Sequence, residues 1–134
     1  MATTKRKTPT PRAKPRAARK PALPKLAKGE IYVGITLHDD RLHHLILLPG
    51  TTKSDWKAAG QWAREQGGVL PSRHDGLVLL KHARAQFDRD WCWLDEQLAV
   101  DPAFAWSKDF GWGYQFGSLV DDVLRARAVR RVAI

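Results

Sequence analysis

A single cysteine in 134 residues, Cys92, excludes an intrachain disulfide and any cysteine-based metal cluster. Set between Trp91 and Trp93, it reads as a small buried hydrophobe. Asparagine is absent altogether, and acidic residues stand side by side only at Asp39-Asp40, Asp95-Glu96 and Asp121-Asp122, so no loop gathers the oxygen ligands that calcium needs. His38, His43 and His44 are close in sequence, but zinc takes three or four convergent ligands and no further His or Cys has a suitable spacing. The expectation is no metal and no cofactor. Long apolar runs are missing too: no aliphatic run exceeds the four residues of Leu45 to Leu48, far too short to cross a bilayer. No apolar stretch follows the N-terminal charges as a secretory signal requires, and five prolines there oppose the amphipathic helix of a transit peptide. These absences predict no membrane partner and a cytoplasmic protein. No phosphate-binding glycine loop, paired-carboxylate motif or nucleophile and base occur at a recognisable spacing, so the chain reads as a non-enzyme.

What is present is unevenly distributed. The net charge is +9, yet residues 1–28 hold ten Lys and Arg and no acid, leaving 13 of the 23 basic groups against all 14 acidic ones in residues 29–134. The first segment also carries Pro9, Pro11, Pro15, Pro21 and Pro24 and almost no large apolar side chain. It cannot bury enough surface to offset roughly 1–2 kcal/mol of backbone entropy per residue, and is predicted to be a disordered tail ending near Lys28 or Gly29. Its cations, among them Lys5, Arg6, Lys7, Arg12, Lys14, Arg16, Arg19 and Lys20, are suited to nonspecific contact with nucleic-acid phosphates. A solubilising linker is the equally good alternative.

The body, residues 29–134, is one domain. Glu30 to Leu37 and Leu42 to Leu48 are apolar runs around a turn and predict a β-hairpin. A three-residue loop Asp39-Asp40-Arg41 would oppose Val33 and Ile35 to Leu47 and Leu45 and keep one face apolar; a two-residue loop would set His44 against Ile35. The first is preferred. After Pro49-Gly50, Ser54 reads as the N-cap of a helix carrying Trp56, Ala59, Ala63 and Gln66 and stopped by Gly67-Gly68. A second helix starts at Ser72 with Asp75 completing a capping box; Leu77 and Leu80 mark its apolar face, which continues to Phe87. Trp91, Trp93 and Leu94 return the chain to strand.

Alternation then governs Ala103 to Val132. Phe104, Trp106 and Lys108 share one face, Gly111 and Gly113 mark a bend, and Trp112, Tyr114 and Phe116 share a face again, predicting a second hairpin. Leu124 to Val132 reads as one further strand. Its Arg125, Arg127, Arg130 and Arg131 could bind phosphate or carboxylate, or form salt bridges across the sheet to residues such as Asp109 or Glu30. Trp56, Trp62, Trp91, Trp93 and Trp106 are read as core, whereas Trp112 between two glycines is read as exposed. The whole predicts an α+β domain of antiparallel sheets with two helices segregated from them.

Tyr32-Val33-Gly34-Ile35, His44-Leu45-Ile46-Leu47, Leu70-Pro71-Ser72-Arg73, Trp93, Ala105-Trp106 with Phe110 and Gly113, and Arg125-Ala126-Arg127-Ala128-Val129-Arg130-Arg131, in this order, resemble the Lcl C-terminal domain family. That family is common in bacteria, bacteriophages and prophages and belongs to the C-type-lectin-like and formylglycine-generating-enzyme-like fold superfamily. The resemblance covers nearly all of residues 29–134 and implies a C-type-lectin-like domain whose first and last strands pair. It departs at Trp93-Leu94-Asp95, where the family usually has Trp-Ser-Ser. Formylglycine-generating chemistry needs reactive cysteines, and Cys92 stands alone. What the resemblance implies instead is a noncatalytic module of phage or prophage type, cytoplasmic or virion-associated, that binds a protein or glycan ligand near its C-terminal strands. Trp112, Tyr114, Gln115, Asp121 and Asp122 are the candidate ligand-binding residues. The alternative function is a nucleic-acid-associated protein acting through the basic tail.

Overall fold

The computed structural model describes residues 22–134. The candidate nucleic-acid-binding side chains from Lys5 to Lys20 lie outside the described residues. Residues 22–28 form neither helix nor strand, yet the Lys25 carbonyl accepts a hydrogen bond from Arg130 at 2.9 Å, so contact with the body begins ahead of Lys28.

The chain builds β1 (Ile31–His38), β2 (Arg41–Leu47), β3 (Thr52–Ser54), α1 (Trp56–Glu65), α2 (Arg73–His82), a short 3-10 turn (Arg84–Gln86), β4 (Trp91–Leu98), β5 (Asp101–Asp109), β6 (Gln115–Leu119), β7 (Leu124–Ala126) and β8 (Val129–Ala133). This is an α+β fold with two helices and two sheets, ordered β1-β2-β8 and β3-β7-β4-β5-β6. The ends of the body meet in one sheet as expected, but the first and last strands do not pair with each other: β2 lies between β1 and β8 and hydrogen bonds both. Pairing is antiparallel except where β4 meets β7 in parallel at Cys92 and Arg125.

The first hairpin turns on two residues, not three. Asp39 and Asp40 both have positive φ, 51° and 60°, the geometry whose twist matches that of paired strands. Ile35 therefore opposes His44, and the preferred apolar register is corrected. The apolar face is recovered by a bulge at Val33, between the pairs Tyr32–Ile46 and Gly34–Leu45, which Gly34 permits with φ 153°. It turns Val33 and Thr36 inward and leaves Ile35 and Leu37 exposed.

Asp55, not Ser54, caps α1: its carboxylate accepts from the Ala58 N–H at 2.8 Å, while the Ser54 hydroxyl donates to the Asp55 carbonyl. The capping box of α2 forms between Ser72 and Asp75 as predicted. The inner face of α2 is Asp75, Gly76 and Leu79, however, and Leu77 is exposed; the helix stops at His82, and Phe87 stacks on Phe110 from outside it. The predicted strand Leu124 to Val132 is two strands, one in each sheet. At the crossover Arg127 donates to the carbonyls of Gln86 and Leu48, and the Ala128 carbonyl accepts from Leu48.

Two apolar clusters fill the body. Ile46, Leu48, Leu70 and Trp93 pack with small residues Ala59, Ala63, Ala105, Ala126 and Ala128 where α1 meets the sheets. Val33, Leu45, Leu47, Leu79, Cys92, Phe110 and Val129 pack on the α2 side. Each fully buried large side chain contributes about 1.5–3 kcal/mol. Of the five tryptophans read as core only Trp93 is fully buried; Trp56, Trp62, Trp91 and Trp106 are half-buried.

The arginine ladder ties these layers together. Arg130 pairs with Glu30 at 2.8 Å as expected, but among the described residues Asp109 takes no arginine: Arg125 pairs with Asp88 and Asp90, and Arg131 with Asp75 at 2.6 Å. Asp75 is fully buried and also accepts from Thr36 on β1 and from the Ser72 N–H.

Candidate recognition site

The hairpin turn between β5 and β6 is held from three directions. The Asp109 carboxylate accepts from the N–H groups of Gly111 (2.8 Å) and Trp112 (3.3 Å), and the Asp109 carbonyl accepts from Gly113 at 2.7 Å, where Gly113 takes φ 89°. Arg84, just past α2, donates to the carbonyls of Phe110 (3.0 Å) and Gly111. Lys108, almost wholly buried, runs its methylene stem past Gly76 of α2 and donates to the Gly113 carbonyl at 3.3 Å; burial pushes its ammonium below the usual lysine range. A Cβ at Gly76 would meet that stem at 3.0 Å, which gives the glycine its reason inside a helix.

The turn pinned in this way presents its side chains outward. Trp112 is 82% exposed, Tyr114 58% and Phe116 56%, and Trp91, Phe116 and Tyr114 form a chain of tilted rings 5.7 and 6.1 Å apart. Trp91 lies on β4 and Phe116 on β6, the outer strand of the same sheet, so this aromatic row crosses the sheet and ends at its edge. Single exposed apolar residues are ordinary, but a large aromatic row ending at a rigid edge is the type of surface that partners cover.

Beside Trp112 lies a cleft of about 430 Å³ walled by Arg84, Arg89, Asp109 and Gly111. Neither Arg84 nor Arg89 was among the candidates read from sequence. No family model, curated protein or solved structure matches this chain.

The five sequence candidates do not share one surface. Trp112 and Tyr114 sit at the turn. Gln115 points to the other side of β6, where its side chain is taken up by Arg73, which in turn lies 3.8 Å over the Trp106 ring. Asp121 and Asp122 lie at the far end of β6, about 17 Å away along five strand residues, in an exposed turn. Asp121 borders a separate cleft of about 440 Å³ with Asp55, Trp56, Lys57 and Gln97.

The remaining titratable groups are structural in geometry. Cys92 is buried, and desolvation pushes its thiol up to about 12, so it is not a thiolate nucleophile near neutral pH. His38 contacts Asp39 at 3.3 Å and meets His43 edge-on, whereas His44 is buried against the Tyr32 hydroxyl. Among the described residues no three His, Cys, Asp or Glu side chains converge as metal ligands, and no helix is long and apolar enough to cross a membrane.

Proposed function

We propose that this chain is a noncatalytic binding module, of the phage or prophage type that its resemblance to the Lcl C-terminal domain family implies, and that it recognises a protein or glycan through the aromatic β5–β6 hairpin. The observation that carries this reading is the use of Lys108, Asp109 and Arg84 to hold a turn whose product is an outward Trp112. A rigid aromatic anchor binds with little loss of side-chain freedom, which is what recognition surfaces select. Trp112→Ala with Tyr114→Ala is expected to weaken capture of the native partner by about 30-fold or more, the effect of losing a hot spot of about 2 kcal/mol. Both side chains are exposed, so the melting temperature should stay within a few degrees. Undiminished capture by a folded double variant would sink the proposal.

The concentration of ten cations in residues 1–28 supports a second reading, contact with nucleic-acid backbone. If about 6–10 of them meet phosphates, affinity for duplex DNA should fall by roughly 10³–10⁵ between 50 and 200 mM salt, without sequence preference. A gel-shift titration comparing the full chain with one lacking residues 1–21 tests this; equal shifts from both would exclude the tail.

A further inference from the structure

We infer that the groove beside Trp112 takes a carboxylate-bearing sugar of an acidic glycan; this rests on the binding-module reading and narrows its ligand. The cleft at Trp112 shares Arg84 and Arg89 with a second cleft, of about 360 Å³, walled by Ala85, Phe87 and Phe110. The two are therefore adjoining halves of one groove, with the arginines at the middle and an aromatic wall at each end. Each half falls in the lower part of the roughly 300–1,000 Å³ range of ligand pockets.

The chemistry of the lining selects the ligand. Arg89 is exposed and its guanidinium makes no hydrogen bond or ion pair to any described residue, so its whole fork of donors is free. Arg84 gives Nε and one terminal nitrogen to the turn carbonyls and keeps the other terminal nitrogen. Planar guanidinium forks match a carboxylate in bidentate fashion. The Trp112 ring offers a flat apolar face to the C–H face of a pyranose, and the Phe87–Phe110 stack, 3.9 Å between centroids and 7° from parallel, makes the far wall apolar. Asp109 lines the Trp112 half instead, nearly buried and with both carboxylate oxygens already accepting from the Gly111 and Trp112 N–H groups of the turn.

The surroundings of the groove argue against a nucleic-acid strand. Asp88 and Asp90 flank Arg89 in the chain, and residues 29–134 hold 13 basic and 14 acidic groups. The groove is an isolated positive spot among acceptors, and a phosphate backbone demands a continuous basic track. An extended peptide finds no ladder here either, since the carbonyls of Phe110 and Gly111 already accept from Arg84.

Calorimetric titration of the full chain with tetragalacturonate and with sialyllactose, each beside its methyl ester, tests the inference, because esterification removes the charge and keeps the sugar. At least one acid is expected to bind about tenfold or more tightly than its ester. Arg89→Gln should erase that difference by weakening the acid far more than the ester, and Trp112→Ala should weaken acid and ester together. Equal affinity for acid and ester, tighter binding of a decathymidylate strand, or no binding of either acid would overturn the inference. The binding-module reading would stand or fall separately, on partner capture by the Trp112→Ala, Tyr114→Ala variant.

Discussion

Asp75→Ala is expected to destabilise the protein by about 3–5 kcal/mol, enough to lower the melting temperature by more than about 10 °C. The side chain is fully enclosed and joins three elements: it caps α2 through Ser72, accepts from Thr36 of β1 at 2.5 Å, and pairs with Arg131 of β8. Removing it leaves the guanidinium with no counter-ion in a site where solvent cannot replace one. Asp75→Ala combined with Arg131→Met should therefore cost less than Asp75→Ala alone, since no uncompensated charge remains inside. Thermal melts of the three proteins by circular dichroism decide it; a single-variant loss below about 1 kcal/mol would show that the pair is not holding the layers.

The same residue sets an acid limit. Burial works to raise the Asp75 pKa, but the hydrogen bonds from Arg131, Thr36 and Ser72 outweigh it and hold the carboxyl below its usual value. A carboxyl whose pKa is lower folded than unfolded contributes stability that is fully present above the unfolded value, about 3.9, and is lost as pH falls through the folded one. The wild-type advantage over Asp75→Ala should accordingly be flat from neutral pH to about 5 and shrink below about 4.

Deletion of residues 124–134 is expected to abolish the cooperative unfolding transition. It removes β7 and β8, takes fully buried Ala126, Ala128 and Val129 out of both apolar clusters, and strips one ladder from β2, whose Leu45, Ile46 and Leu47 are buried. Backbone groups of β2 that bond β8 would be left beside exposed apolar side chains, an edge prone to aggregation. Calorimetry of the shortened chain should show no sharp endotherm, and one like that of the full chain would refute the pairing.

The parts of this fold legible in the sequence are those fixed locally. Ser72 and Asp75 stand three apart and form their box within one turn, and Gly67 ends α1 through its own φ of 89°. Trp112 between two glycines could be placed on an exposed bend because glycine spacing reports a bend without reference to the rest of the chain. The misses share a different origin. The Arg-Ala alternation runs unbroken through Arg127, so period two cannot report that the chain leaves one sheet for the other there. The apolar register of the first hairpin gave no hint of a bulge at Val33, because a bulge restores on one strand what the turn displaces. Leu80 does pack against the core, but Leu77 outranked Asp75 and Gly76 as an inward residue since hydropathy does not register a carboxylate neutralised by an arginine 56 positions away. Arg84 and Arg89 carry no local mark as site residues. Their meeting with Trp112 exists only once the β5–β6 turn has folded back against the segment after α2.

The strand crossing from one sheet to the other also dictates a schedule. Leu47 and Val129 are neighbours in the finished ladder, but 82 positions separate them in the chain. At about 5–20 residues per second of synthesis, β2 waits roughly 4–16 s for its second neighbour, longer than a hairpin needs to form by many orders of magnitude. During that interval the nascent chain holds the β1–β2 hairpin with one flank unzipped. Arg41 on β2 itself, Asp39 and Asp40 in its turn, and Lys53 and Lys57 just downstream are then the nearest charged groups available to keep that flank from sticking to a neighbouring nascent chain.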